Sequence, residues 1–344
     1  MAMDKGAASS YVYAKASGML ARSFVGSRSV RLFEVKTLAE LWSLIFTDPL
    51  PVVPEMVLAK ELEKTARDRF ISQYMKLVTC YSKPADILLA QLHHYDYENV
   101  KAVGAALCLG DGKKKPDMVD ISPFNLLKYS AWPDVAAMTS GSSLSWYDRV
   151  PALNEQREMD FRLDWQHVGE TWRAAQRCDA DCREDVKSLL YERFVIESVL
   201  WALRLRKYYD MPQELVDSLL RSPVGEGDGT EHFSQEAART LPWALDDWES
   251  WRKWKYAHFL NPHEEGVVWN VDPRWIYNAF RRDYVRKTYS LFHKYPFTEC
   301  PLFCWYIIKR NELDNIRAAS ESLRLGIPAA QAMQTVGVQE VTNG

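Results

Sequence analysis

Long apolar stretches are missing from this sequence: runs such as ADILLAQL and PLFCWYII are the longest, and none approaches the roughly 20 residues that a bilayer-spanning helix needs. No direct membrane insertion is expected. The N-terminal MAMDKGAASSYVYAKAS lacks the apolar core of a secretory signal, so cytosolic residence is expected, with the 6 cysteines as reduced thiols. A dominant charge is missing too. Lys and Arg number 43 against 46 Asp and Glu, and a net charge of -3 argues against a nucleic-acid partner. Alternating apolar and polar segments bounded by turn residues are also absent, while helical spacing recurs throughout, so the fold class is all-α.

The patterns that carry chemistry are incomplete wherever they begin. Cys178 with Cys182 and Cys300 with Cys304 share helix faces, but structural zinc sites favour cysteine pairs with two residues between them, and small buried thiols account for the spacing. His93 and His94 are adjacent and diverge by about 100° on a helix. Glu264 and Glu265 follow His263, yet no second His returns four on. GDGKKK has Lys114 where a phosphate-binding loop needs Ser or Thr, and Pro116 would break the helix after it. SGSSLSW lacks the Gly-x-Ser-x-Gly spacing of a nucleophile elbow. DDWES has Ser250 where a paired-Asp metal motif needs another acid, and Asp246 reads instead as a helix cap. No catalytic residue, cofactor or metal ligand is assigned.

What is present is aromatic mass and helical periodicity. The 344 residues hold 13 Trp and 17 Tyr, which serve thick helix packings and protein interfaces alike. A chain this long exceeds one ordinary core, and three units of about 115 residues fit it. Ser9 or Ser10 could cap a first helix reaching towards Gly26. VKTLAELWSLIF forms a second, ended by Pro49 and Pro51, and Leu58, Leu62, Ala66, Phe70, Tyr74 and Leu77 mark a long third that opens at Pro54. After Pro84 a short helix, ADILLAQLHHY, precedes a new one starting near Asp96. In the last third ALDDWESWRKWKYAHFL and PRWIYNAFRRDYVRKTYSLFHKY read as helices, followed by PLFCWYII and another new helix at Asn311. Basic clusters at Arg252, Lys253, Lys255 and at Arg281, Arg282, Arg286, Lys287 are interleaved with Trp and Tyr; they fit solvated helix faces or a docking surface for an acidic partner.

One phrase occurs twice. YDYENVKAVGAALCLG at residues 95–110 and NELDNIRAASESLRLG at 311–326 share an acidic residue (Glu98, Asp314), Asn (Asn99, Asn315), then a β-branched residue, a basic one and Ala, and both close on Leu-x-Leu-Gly (Gly110, Gly326). Glu197 and Val199 can be laid on the motif in the middle third, where Asn and the closing Gly are lacking. With GDGKKKP and PVGEGDGTEHF (223–233) as linkers, the expected subdomains are 1–122, 123–230 (a degenerate copy) and 231–344. Gly suits a left-handed helix end, and Asn disfavours helix interiors. Asn99 and Asn315 are therefore expected near helix starts, bonding the backbone at equivalent corners, with Asn311 and Asp314 or Asp96 and Asn99 as the cap pairs. On these residues two readings stand: a helical scaffold, and an all-α enzyme with a metal or isoprenoid-type site.

YAKASGMLARSFVG, KTLAELWSLIF and the Glu312-x-x-Asn315-Ile316-Arg317 phrase ending in Leu-Gly resemble the C subunit of the prokaryotic V/A-type ATPases, which is similar to the d subunit of the eukaryotic vacuolar enzyme. The resemblance runs along essentially the whole chain and is weakest in the middle. It implies three helical subdomains arranged about a pseudo-threefold axis as a funnel. It also implies a non-catalytic socket for the rotor shaft (the D and F subunits), seated on the membrane rotor ring and monomeric in isolation. Contacts to shaft or ring have no short signature to carry over.

Overall fold

The computed structural model describes residues 3–110, 114–221 and 230–338. Among them the α-helices are α1 (Lys5–Leu20), α2 (Arg31–Glu34), α3 (Leu38–Ile45), α4 (Glu55–Val78), α5 (Asp86–Cys108), α6 (Val135–Thr139), α7 (Gln156–Ala175), α8 (Ala180–Tyr209), α9 (Gln213–Leu219), α10 (Gln235–Thr240), α11 (Trp248–Trp251), α12 (Pro273–Lys294), α13 (Cys300–Leu325) and α14 (Ala329–Val336). The fold is all-α; the described residues hold no strand beyond an isolated bridge of Met3 with Tyr81. By contact the chain forms two compact units, one made of the chain up to Ser82 and from Pro242 onward, the other of Lys83–Leu241. These groupings cut across the sequence boundaries at residues 122 and 230.

In the first unit α13 packs against α1, α4, α12 and α14. Leu302 through Ile308 are buried without interruption, as happens when neighbours enclose a helix on every side. Trp305, fully buried, stacks on Phe70 and Tyr74 of α4 with ring centroids 5.9 and 6.1 Å apart. Further along, Ile316 and Ala319 join Leu38, Leu41, Trp42, Leu58 and Leu62 in one apolar cluster.

Several helix limits differ from the sequence reading, each for a local reason. Asp4, not Ser9 or Ser10, caps α1 by accepting from the Ala7 amide. That helix stops at Leu20 because the Arg28 guanidinium takes the carbonyls of Leu20 and Ala21 and Ser23 Oγ takes that of Met19. Pro54 precedes α4 as its cap residue rather than opening it. Thr37 caps α3, Asp272 caps α12, and Asp247 rather than Asp246 caps α11. The helix expected over ALDDWESWRKWKYAHFL is reduced to α11 and a 3-10 turn at Ala257–Phe259. Trp243, Trp251, Trp254 and Tyr256 there meet edge to face in succession, and the buried Trp251 indole donates to the Ala244 carbonyl. Aromatic packing overrides helical spacing in that segment.

The second unit is built on α5, α7, α8 and α10, packed in that order. Tyr97, Val100 and Val103 of α5 pack with Leu127, Val135, Met138, Leu144, Tyr147 and Leu163. Gly104 has no room for a side chain, because a Cβ there would overlap the Tyr147 hydroxyl and meet Pro151 Cδ at 3.5 Å. Within the two expected linkers, residues 111–113 and 223–229 lie outside the described residues, and Glu231–Phe233 form a 3-10 turn with Phe233 buried.

The two helix breaks expected at Asp96 and Asn311 do not exist. α5 and α13 each run on through the repeated phrase, placing both Asn residues in helix interiors. Neither Asn311 with Asp314 nor Asp96 with Asn99 caps a helix. Asp96, Asn99 and Asn315 are buried and bonded to other segments, which replaces the local backbone competition that makes Asn a poor helix residue, while Asn311 and Asp314 are half-buried within α13.

Candidate functional site

The repeated phrase forms a joint in each unit. Asp96 and Asn99, one turn apart on α5, are buried against residues 119–129. Asn99 Nδ2 donates to the Val119 carbonyl at 2.8 Å and its Oδ1 accepts from the Val119 amide at 2.9 Å. One side-chain amide thus satisfies both backbone groups of one loop residue. Asp96 Oδ2 accepts from the Leu126 amide and Oδ1 from the Tyr129 hydroxyl, each at 2.5 Å. Burial pushes the Asp96 carboxyl up to about 6, against the lowering pull of its hydrogen bonds from Tyr129 and Leu126. Tyr129 is in turn pushed well above the usual phenol range, by burial first and then by Asp96.

In the first unit Glu312 and Asn315 have the same three-residue separation on α13. Glu312 Oε1 accepts from the Phe24 amide at 2.5 Å, and its other oxygen pairs with Lys309, which also donates to Ser23 Oγ at 2.9 Å. The side chain of Glu312 is 6% exposed, so this pair is shielded. Asn315 Oδ1 accepts from Arg281 of α12 at 3.0 Å; the same guanidinium donates to the carbonyls of Asn311 and Val336 and lies 3.8 Å from Asp314. In both units an acid three residues before Asn thus holds a loop amide.

The remaining residues of the phrase do less. Glu98 is half exposed and pairs with Lys101 at 2.9 Å, while Glu197, also half exposed, pairs with Arg193 within α8. With Glu197 and Val199 laid on the motif, Ser198 falls at the Asn position and donates to the Phe194 carbonyl of its own helix. Gly110 and Gly326 have φ of 76° and 66° where α5 and α13 end. Tyr129, Phe24 and Arg281 complete the joints from other segments and Lys309 from one turn earlier on α13; Arg281, expected on a solvated face or docking surface, is instead 11% exposed and bonded to Asn315, Asn311 and Val336.

The two Asn residues are expected to differ on substitution. Asn99→Ala strands both backbone groups of Val119 and should cost roughly 1–3 kcal/mol, whereas Asn315→Ala leaves Arg281 three other acceptors and should cost less than about 1 kcal/mol. Urea denaturation of the two variants checks the order; equal costs would contradict it.

Burial depresses His167 to about 4, and its Nε2 lies 3.1 Å from the Ala90 carbonyl. The four cysteines at 178, 182, 300 and 304 are buried, with Cys300 and Cys304 sulfurs 3.8 Å apart. Among the described residues no three His, Cys, Asp or Glu side chains are grouped to hold a metal ion, and no helix is long and apolar enough to cross a membrane.

The described residues thus form an all-helical chain whose buried acids and amides fasten loops to long helices. The model of the ATP synthase (C/AC39) subunit family matches residues 13–334, and the chain belongs to that family of rotary V/A-type ATPase subunits. It is also similar to a protein of Treponema pallidum (strain Nichols) described as uncharacterized, at 30% identity over 336 residues and 95% of each chain.

Proposed function

We propose that this chain is a non-catalytic central-stalk component of a rotary V/A-type ATPase. It is a socket that receives the D and F shaft subunits and rests on the cytoplasmic loops of the membrane rotor ring, coupling ATP turnover to proton or sodium transport. The observation that carries this reading is the family match over residues 13–334, which takes in both compact units. In this reading residues 1–122, 123–230 and 231–344 are three similar helical subdomains about a pseudo-threefold axis, and the repeated phrase marks two of them. The protein is cytoplasmic and peripheral to the membrane through the ring. A coupling transmits torque by shape and stiffness, and buried joints of the Asp96 and Glu312 kind supply stiffness without a reactive group.

Tagging the chain in its native host and isolating it from gently solubilised membranes tests the reading. Co-purification with the shaft and ring subunits is the expected result, and the isolated chain should sediment as a monomer. A chain recovered without any other component of a rotary ATPase would overturn it.

A further inference from the structure

A cavity of about 340 Å³ opens in the first unit between the end of α1, the end of α3, and the facing sides of α4 and α13. Ile45, Phe46, Phe70, Leu313 and Ile316 supply apolar lining beside the polar groups, and its size lies at the small end of the range for specific pockets. Three cations line it, Arg22, Arg69 and Lys309, against the single carboxylate of Glu312. That surplus of positive charge stands out on a chain whose net charge is -3.

Most of the polar lining is engaged. Lys309 and Glu312 bind each other and the loop at Ser23 and Phe24, while Arg69 pairs with Asp48 and lies 4.8 Å from the Phe46 ring centroid. Arg22 and Gln73 line the same cavity, and among the described residues neither side chain has a hydrogen-bond partner. Arg22 follows directly on the end of α1, and its loop is fixed to α13 through Ser23 and Phe24. The backbone that carries Arg22 is therefore held in place, while its guanidinium is exposed and open to a partner.

We propose that this cavity is a docking pocket for a partner polypeptide that inserts one apolar side chain and places a flanking Asp or Glu against Arg22 and Gln73. Charge and lining agree on that occupant: Ile45, Phe46, Phe70, Leu313 and Ile316 offer contact to the apolar side chain, Arg22 offers a fork of donors to a carboxylate, and the Gln73 amide supplies a further donor. The proposal rests on the coupling function above and adds to it a defined contact with another subunit of the rotary complex.

The test uses the full chain in its native complex. A diazirine-bearing amino acid replaces Met19, which lines the cavity without a binding role of its own, the tagged complex is isolated and irradiated, and the crosslinked peptide is identified by mass spectrometry. The expected peptide comes from another subunit of the same complex, with an apolar residue next to an Asp or Glu. Adding Arg22→Glu should reduce the crosslink at least tenfold, or prevent assembly, with the thermal midpoint of the isolated chain unchanged; Arg22→Lys should retain it in part. An assembled complex with no crosslink to another subunit, a crosslinked peptide without a nearby acid, or an Arg22→Glu chain that crosslinks normally would sink the pocket alone. Recovery of the tagged chain without rotary ATPase subunits would sink the coupling function and the pocket together.

Discussion

Glu312→Ala is expected to destabilise the protein by about 3–5 kcal/mol, the usual result of removing one partner from a buried ion pair. The substitution strands Lys309, whose side chain is 14% exposed, and also frees the Phe24 amide. Glu312→Gln should recover about half of that loss, since a neutral amide can still accept from Phe24 while Lys309 loses its counter-charge. Denaturant titration of the three proteins, followed by far-UV ellipticity, gives the comparison. A loss below about 1 kcal/mol for the Ala variant would place the Glu312 pair among ordinary surface ion pairs.

Asp96 should make stability depend on pH in the opposite sense to a salt-bridged acid. Its carboxyl rises from 3.8 to about 6 on folding, so between those values the folded protein holds a proton that the unfolded chain has lost. Stability from this group is full below about pH 4 and declines as pH rises through about 6, by roughly 3 kcal/mol in all. Other acids titrate in the same window, which makes the contrast with Asp96→Asn the useful measurement. Asn keeps an acceptor for the Leu126 amide and gains a donor towards Tyr129 Oη. Relative to the native chain, the variant should gain roughly 3 kcal/mol between about pH 3.5 and pH 7. A difference that stays constant across that range would mean that folding leaves the Asp96 carboxyl at its unfolded value, its hydrogen bonds cancelling the effect of burial.

The long helices could be read from spacing because their buried faces repeat every three or four residues, as in Leu58, Leu62, Ala66 and Phe70. Family membership was legible in phrases such as KTLAELWSLIF, which folds as the Thr37-capped α3 and packs through Leu38, Leu41 and Trp42. The joints were legible only in part. Asn99 and Asn315 stood out as polar residues at a repeated position, but the sequence suggested helix starts because Asn, Asp and Glu usually signal them. Their partners decide otherwise: Phe24 lies 288 residues before Glu312, and Arg281 lies 34 before Asn315. No local pattern encodes such a pairing. The same holds for residues 244–260, where rings meeting edge to face take the place of a helix that the apolar spacing favoured.

The first unit is assembled from the two ends of the chain, and this sets an order on its birth. Phe70 and Tyr74 leave the ribosome early, while Trp305, which they enclose, is made after all of the second unit. At a synthesis rate of about 5–20 residues per second, the apolar face of α4 waits on the order of ten seconds or more for its partner. The second unit, contiguous in sequence, can close during that interval. A nascent chain therefore passes through a stage with one finished body and one half-built one, and that interval is when it most needs shelter from aggregation.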